Sequence, residues 1–198
     1  MSDDFKSFPK KLSLETSRIL LQPLQEKDIE YFSPLVKDKK MWAYFSKDLS
    51  IQNELESWIG EALTGRLLGN RIPFTIIDKK TNKICGSTSY GKISFYDKRL
   101  EIGWSWLGKE FMGTGINRNA KFALLRYAFE TMKFERVEIA TDNLNERANA
   151  ALEKIGAIKE GVLRSRKLVH SGRRDSAYYS ILLIEWESVK EKFFKGFN

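Results

Sequence analysis

Apolar residues recur at helical spacing between Ile116 and Ala128, directly after a strand-like segment rich in aromatic residues. The helical stretch contains no proline or glycine, and residues 100–106 (LEIGWSW) alternate as a strand does. Between the two segments, Gly113 and Gly115 flank a single threonine. The pattern therefore predicts a strand, a tight glycine turn and a helix in that order.

Such a corner can bind an anion. The first N–H groups of a helix have no internal partner, and the helix dipole adds partial positive charge there. Glycine allows a phosphate to approach the backbone without a Cβ in the way. With 13 glycines in 198 residues, however, one such glycine pair is expected by chance, and neither the Rossmann spacing nor a Walker A lysine is present. The pattern alone leaves open a plain structural corner or a loop that binds pyrophosphate.

The rest of the chain shows strand and helix patterns without an internal repeat or a linker, after a polar leader over residues 1–13. The order predicts an α+β fold in a single domain covering residues 1–198, with one mixed, mostly antiparallel sheet of about seven strands flanked by helices. The predicted elements are a strand at 18–24, helices at 28–36 and 51–68, a hairpin of 73–77 with 83–93, a strand at 99–107, the helix from 116, a strand at 136–141, a helix at 145–155, and a hairpin of 158–169 with 174–184 about His170, Ser171 and Gly172.

The chain carries a formal net charge of +8 at neutral pH. A basic surface can attract nucleic acid or a ribosome, and it can equally attract a small molecule with several phosphates. The lysines and arginines are dispersed along the chain and do not form an arm. We therefore interpret the charge as steering for a phosphate-bearing ligand and as a solubility feature, in preference to nucleic-acid binding.

The composition predicts a globular protein of the cytoplasm. The longest apolar run, residues 181–184, is far shorter than the roughly 20 residues of a membrane span, and the first residues lack the apolar core of a signal peptide. The single cysteine, Cys85, excludes an internal disulfide and favours a reducing compartment, and its strand-like surroundings indicate a small buried residue. No group of histidine, cysteine and carboxylate residues has metal-ligand spacing, so we expect no metal.

Six stretches together resemble the GNAT acetyltransferases, and among them the branch of RimJ/RimL-like ribosomal-protein N-acetyltransferases. Each stretch is weak alone, but the set is specific and extends over nearly all of the chain. The stretches are residues 19–24 (ILLQPL), 101–103 (EIG), 110–115 (EFMGTG), 145–157 (NERANAALEKIGA), 160–163 (EGVL) and 179–186 (YSILLIEW).

The resemblance implies acetyl-CoA as the co-substrate. It implies that the backbone around Trp106 and Leu107 diverges from the next strand and holds the pantetheine arm. It also implies that Asn145, at the start of the following helix, contacts this arm, although asparagine is equally suited to cap a helix. The loop that would hold the pyrophosphate comprises Phe111, Met112, Gly113, Thr114, Gly115 and Ile116.

Acetyl transfer to an amine requires a base for the acceptor and an acid for the leaving thiolate. Glu101 is the candidate base, directly or through water, and the alternative is a buried structural carboxylate. The tyrosine or serine that family members use as acid is replaced here by Leu152 or Ala148, so the resemblance leaves the acid unassigned. The remaining hydroxyl or imidazole candidates are Tyr90, Tyr178, Tyr179 and His170, of which the histidine lies in a predicted turn.

Trp42, Tyr44 and Phe45 form an unusually aromatic connection, which either seals the core or, together with Tyr90, lines the acceptor side. Between its lysines this connection offers only Asp48, whereas a polyamine site would require a row of carboxylates. A doubtful base also favours an α-amine, because deprotonating a lysine costs about 3.5 kcal/mol more.

The sequence therefore predicts an enzyme that acetylates a protein N-terminus, ribosomal or other, without a membrane partner and with a homodimer left open. The alternatives are a small-molecule amine as acceptor, a different acyl-CoA as donor, or a non-catalytic protein that binds acyl-CoA or associates with the ribosome.

Overall fold

The computed structural model of the protein describes residues 11–169 and 172–198. Within these residues, eight strands form one sheet in the order β1-β2-β3-β4-β5-β6-β8-β7, and five α-helices accompany it. The α+β prediction is thus confirmed. The elements are β1 (Leu14–Glu15), β2 (Ile19–Pro23), α1 (Ile29–Leu35), α2 (Gln52–Leu67), β3 (Arg71–Asp78), β4 (Lys83–Ser94), β5 (Arg99–Leu107), α3 (Ile116–Arg126), β6 (Arg136–Asp142), α4 (Glu146–Glu153), β7 (Ile158–Val169), β8 (Gly172–Leu182) and α5 (Trp186–Phe193).

Neighbouring strands pair antiparallel everywhere except between β5 and β6, which run parallel. A parallel pair needs a crossover connection, and α3 supplies it. The buried residues of α3 are apolar, as the spacing predicted, with the exception of Lys121, and the last turn of the helix continues into a π-helical turn at Tyr127–Thr131. This crossover places the N-terminus of α3 at the end of β5, where the glycine turn lies.

Two apolar cores hold the sheet between its helices. The larger core joins α3, α4 and α5 to strands β1 to β6 and β8. The smaller one packs α1, α2 and the short helical turn Lys39–Trp42 against the indole of Trp106 on β5. Because successive side chains of a strand point to opposite faces, β5 contributes to both cores and is fixed from both sides.

Two sequence predictions need correction, and a third falls outside the described residues. Leu12 is only 6% exposed and β1 pairs with β2, so residues 11–13 are not a loose leader; residues 1–10 lie outside the described part. Helix α5 was missed, although Trp186, Val189 and Phe193 follow helical spacing. Of the predicted turn at the end of the chain, His170 and Ser171 also lie outside the described part.

Across residues 11–169 and 172–198, no helix combines the length and the apolar composition that crossing a membrane would require.

Candidate active site

Strands β5 and β6 separate near the middle of the sheet. Glu101 and Glu138 are their last paired residues, whereas β5 continues to Leu107 and β6 to Asp142. Beyond this point no described strand pairs with the edge of β5 that faces β6, and backbone N–H and C=O groups in such a cleft need a partner. The cleft can therefore accept an extended ligand that carries amides of its own.

A β-bulge shapes β5 beside the cleft. The register with β4 shifts between Gly103 and Trp106, and Trp104 has a φ of 53°. This left-handed conformation is strained for a bulky residue, and bulges commonly re-aim side chains beside functional sites. Gly91 leaves room for the Trp104 side chain, because a Cβ there would lie 2.4 Å from the Trp104 ring.

The glycine turn ends in the helix start that the sequence predicted. Gly113 and Gly115 have φ values of 76° and 86°, and Gly115 is the N-cap residue of α3. A Cβ at either glycine would meet no atom of the described residues within 4 Å, so the side from which an anion would approach is open. The Thr114 hydroxyl donates to the Phe111 carbonyl at 2.7 Å and so stabilises the turn.

The other residues predicted to bind the cofactor could contact it only through their backbone. Trp106 and Leu107 lie in β5 beyond the point of separation, but their side chains are buried in the two cores. Ile116 is also buried, where it anchors the first turn of α3. A ligand in the cleft would therefore contact the main chain of these residues.

A groove of about 610 Å³ lies between the glycine turn, the N-terminus of α4 and the loop after α1. Met112 and Asn145, predicted for the cofactor, and Tyr44, predicted for the acceptor, all line it. The other lining residues were not predicted from the sequence, because the segments that meet at the groove are distant from one another along the chain. These are Asp38, Lys40, Met41, Lys109, Leu144, Glu146 and Arg147.

Asn145 has the capping role that was the alternative to cofactor contact. Its Oδ1 accepts a hydrogen bond from the Ala148 N–H at 3.1 Å at the start of α4. Its Nδ2 has no hydrogen-bond partner within residues 11–169 and 172–198. The side chain can therefore cap the helix and still donate to a ligand in the groove.

Glu101 is buried at the point where β5 and β6 separate. Its Oε2 accepts a hydrogen bond from the Lys92 ammonium at 2.5 Å. Gly103 leaves room for the other oxygen, since a Cβ there would lie 3.1 Å from Oε1. The carboxylate is thus at the predicted place, but one of its oxygens is occupied by a cation.

Two of the three tyrosine candidates are structural. Tyr90 is fully buried and its hydroxyl donates to the Leu124 carbonyl at 2.5 Å, so its assignment to the acceptor side was wrong. The Tyr179 hydroxyl donates to Asn149 Oδ1 at 2.8 Å under α4. Tyr178 is half-buried beside Lys92, whose ammonium lies 6.0 Å from the ring centre. Its hydroxyl makes no hydrogen bond to a described residue and is therefore available.

The aromatic connection divides into core and surface. Trp42 is fully buried, and its Nε1 donates to the Val36 carbonyl at 2.9 Å, so it is a core residue and not an acceptor contact. Phe45 packs edge-on against Trp42 with ring centres 5.1 Å apart. Tyr44 is half-buried and lines the groove. Of the predicted acceptor residues, Tyr44 is therefore the one whose side chain reaches the site.

The structure adds a basic residue that the sequence analysis missed. Lys121 on α3 is 5% exposed, and its ammonium donates to Ser105 Oγ on β5 at 2.8 Å. Ser105 Oγ also lies 2.8 Å from Thr88 Oγ1. Burial lowers the pKa of Lys121 to about 7.

Cys85 has the structural role that its surroundings indicated. It is fully buried in β4, and its Sγ lies 3.3 Å from the Lys83 carbonyl. Burial raises the pKa of the Cys85 thiol to about 11. A thiol in this state is a poor nucleophile, because the thiolate is the reactive form.

A mixed sheet with a cleft between two parallel strands and a glycine turn at a helix start defines an acyltransferase of the GNAT type. Residues 18–158 match the family model described as "Acetyltransferase (GNAT) domain". This match extends over more than half of the chain, which therefore belongs to the GNAT acetyltransferase family, a family of N-acetyltransferases that use acetyl-CoA.

The chain is 38% identical over 107 residues to "Putative ribosomal N-acetyltransferase YdaF" of Bacillus subtilis (strain 168), a match that covers 54% of this chain and 58% of that protein. This similarity supports the RimJ/RimL-like branch. The chain also resembles the crystal structure of a "putative acetyltransferase" from T. thermophilus, with a TM-score of 0.84, 31% identity and coverage of 95% and 97% of the two chains. The microcin C7 self immunity acetyltransferase MccE, in complex with acetyl-CoA and AMP, is 25% identical with a TM-score of 0.74, over 84% of this chain and 93% of that one.

Proposed function

We propose that this enzyme transfers the acetyl group of acetyl-CoA to the α-amine at a protein N-terminus, directly within a complex of both substrates. One observation carries the proposal. The cleft between β5 and β6 begins at Glu101 and Glu138 and continues along β5 to the glycine turn. It thereby connects the glycine turn to a buried carboxylate along an edge of β5 that pairs with no strand of the described residues.

The donor would bind along this strand. The N–H groups of residues 113–116 donate to no other backbone group of the described residues and suit the pyrophosphate, since the helix dipole adds positive charge and the open glycine faces allow close approach. The amides of the pantetheine arm can then pair with the free edge of β5, much as a further strand would. The MccE structure, which holds acetyl-CoA, supports this assignment by family likeness.

The reaction needs few groups. The acceptor nitrogen attacks the thioester carbonyl carbon, a C–N bond forms, and the C–S bond breaks to release the thiolate. We assign the proton from the amine to Glu101, whose Oε1 does not contact Lys92, and the proton for the thiolate to the free hydroxyl of Tyr178. Because the Glu101 carboxylate is shared with Lys92, an amine that is already partly neutral at pH 7 suits the site better than a lysine side chain.

The YdaF likeness supports a ribosomal protein as the source of that N-terminus. With such a substrate the enzyme would act in the cytoplasm, and the free, buried thiol of Cys85 supports this location.

Thiol release from acetyl-CoA tests the proposal, with peptides, spermidine and lysine as acceptors. We expect turnover with free N-terminal peptides, a mass gain of one acetyl group at the first residue, and no turnover with spermidine. A protein that binds coenzyme A but acetylates none of the amines would be a binding protein, and efficient spermidine turnover would contradict the choice of acceptor.

A further inference from the structure

Two cations face each other across the final hairpin beside the proposed acceptor site. Lys167 on β7 and Arg174 on β8 are direct cross-strand partners, so their side chains leave the same face of the sheet. Neither forms an ion pair with an acidic residue in the described part of the chain. Like charges in directly opposite positions destabilise a sheet, and a bound anion would relieve the repulsion.

Arg174 is oriented by one side-chain hydrogen bond and keeps a buried donor that has no partner among the described residues. Its Nη1 donates to the main-chain carbonyl of Tyr44, a residue that lines the groove. Its Nε is buried and has no hydrogen-bond partner among the residues that the structure describes. Asp142, which acts electrostatically on Arg174, accepts from the Leu144 N–H at 2.9 Å through its Oδ1, and the neighbouring Asp175 accepts from the Ser165 N–H at 2.7 Å through its Oδ1.

Both cations act electrostatically on the candidate catalytic groups. Lys167 is exposed as a whole, but loss of hydration at its ammonium group lowers its pKa. The positive charge of Arg174 lowers this pKa further, and the negative charge of Glu101 raises it. The carboxylate of Glu101 also acts on the guanidinium of Arg174. The pair therefore lies within electrostatic reach of the point where the acceptor amine would be deprotonated.

We propose that Lys167 and Arg174 bind an anionic side chain of the acceptor, so that the preferred substrate is an N-terminus with Asp or Glu next to its first residue. The inference rests on the proposed function and names its substrate class. Charge complementarity carries it: Glu101 attracts the amine end of such a peptide, while the two cations attract its carboxylate. The same cations disfavour a protonated amine nearby and so help to keep the nucleophile neutral.

Three peptides that differ only at the second residue test this inference. Glu, Gln and Lys at that position compare an anion, a neutral isostere and a cation. We expect kcat/KM to be about tenfold or more higher for Glu than for Gln, because charge-assisted hydrogen bonds are roughly twice as strong as neutral ones, and lowest for Lys. The preference should decrease with added salt.

Variants then locate the subsite. Lys167→Met should reduce the preference for Glu over Gln to a few-fold or less, chiefly by lowering kcat/KM for the Glu peptide. Lys159→Met is the matched control, since this lysine lies on the same strand and contacts Asn143 instead. Arg174→Met should have the larger effect on the preference for Glu. Because Lys167 is exposed, we expect Lys167→Met to fold normally, and this variant is therefore the decisive one.

Equal turnover of all three peptides, or a preference for Glu that persists in Lys167→Met and Arg174→Met, would overturn the subsite and leave the proposed function standing. Acetylation of none of them would contradict the proposed function. Binding of the N-acetylated Glu and Gln peptides to the enzyme with coenzyme A, measured by calorimetry, would then decide the subsite separately: tighter binding of the Glu peptide supports it, and equal affinities overturn it.

Discussion

A buried lysine without an ion-pair partner in the described part of the chain is an unusual residue to retain in a core. Lys121 contacts the Ser105 hydroxyl, and burial is the cause of its lowered pKa. An unfolded lysine titrates near 10.4, so between about pH 7 and pH 10 the unfolded state binds the additional proton. The free energy of unfolding must therefore rise with pH in this window, at up to about 1.36 kcal/mol per pH unit from this residue.

Replacing this lysine tests the sign of that dependence. Lys121→Met should be more stable than the wild type at pH 7, and the difference should shrink as pH approaches 10, because the wild-type lysine becomes neutral in both states. Urea unfolding at several pH values measures it, with the exposed Lys154→Met as control. A constant difference across the window would show that Lys121 is charged in the folded protein.

Glu101 can be tested through the pH dependence of turnover. Glu101→Gln retains an acceptor for Lys92 but removes the base, so turnover should fall by about 10²-fold or more at pH 7. The loss should become smaller as pH rises, because the amine then deprotonates unaided. The affinity for coenzyme A should not change. A pH-independent loss together with a lower melting temperature would mark the carboxylate as structural.

At the scale of elements, the start of α3 requires glycine at position 115 because of its backbone conformation and not because of steric crowding. A Cβ at Gly115 would meet no atom of the described residues, but the φ of 86° is unfavourable for any residue with a side chain. Gly115→Ala should therefore cost about 1–2 kcal/mol and weaken coenzyme A binding by about tenfold. Calorimetry checks the binding prediction.

The control is Gly60→Ala on α2, where an added Cβ is also unobstructed and the backbone is helical. This change should stabilise the protein by about 0.5–1 kcal/mol and leave coenzyme A binding unchanged. If the folded Gly115→Ala protein bound coenzyme A as tightly as the wild type, the glycine turn would not be the pyrophosphate site.

At the scale of the whole molecule, local patterns and long-range packing differ in what the sequence reveals. Strand β5 was predicted with the bounds that it has, because alternation is a property of neighbouring residues. The assignment of Tyr90 failed because alternation cannot tell which face of a sheet a helix covers, and α3 covers this one. Arg147, which lines the groove, and Lys121, which lies in the core, were not predicted. Both take part in contacts between segments that are distant along the chain, and a local sequence pattern does not reveal such contacts.

The two cores also determine how the acceptor side should be probed. Trp42 lies in the core of α1 and α2, where its indole contacts Trp106 with ring centres 5.8 Å apart. Trp42→Ala should therefore lower the free energy of unfolding by about 3–5 kcal/mol, with its effects on kinetics secondary to that loss.

Tyr44→Ala removes a groove side chain but retains the carbonyl that Arg174 contacts. We expect it to raise KM for the peptide several-fold, with KM for acetyl-CoA and urea stability unchanged. Steady-state kinetics and urea unfolding of both variants decide the point, and a Tyr44→Ala enzyme with normal peptide kinetics would exclude this loop from the acceptor site.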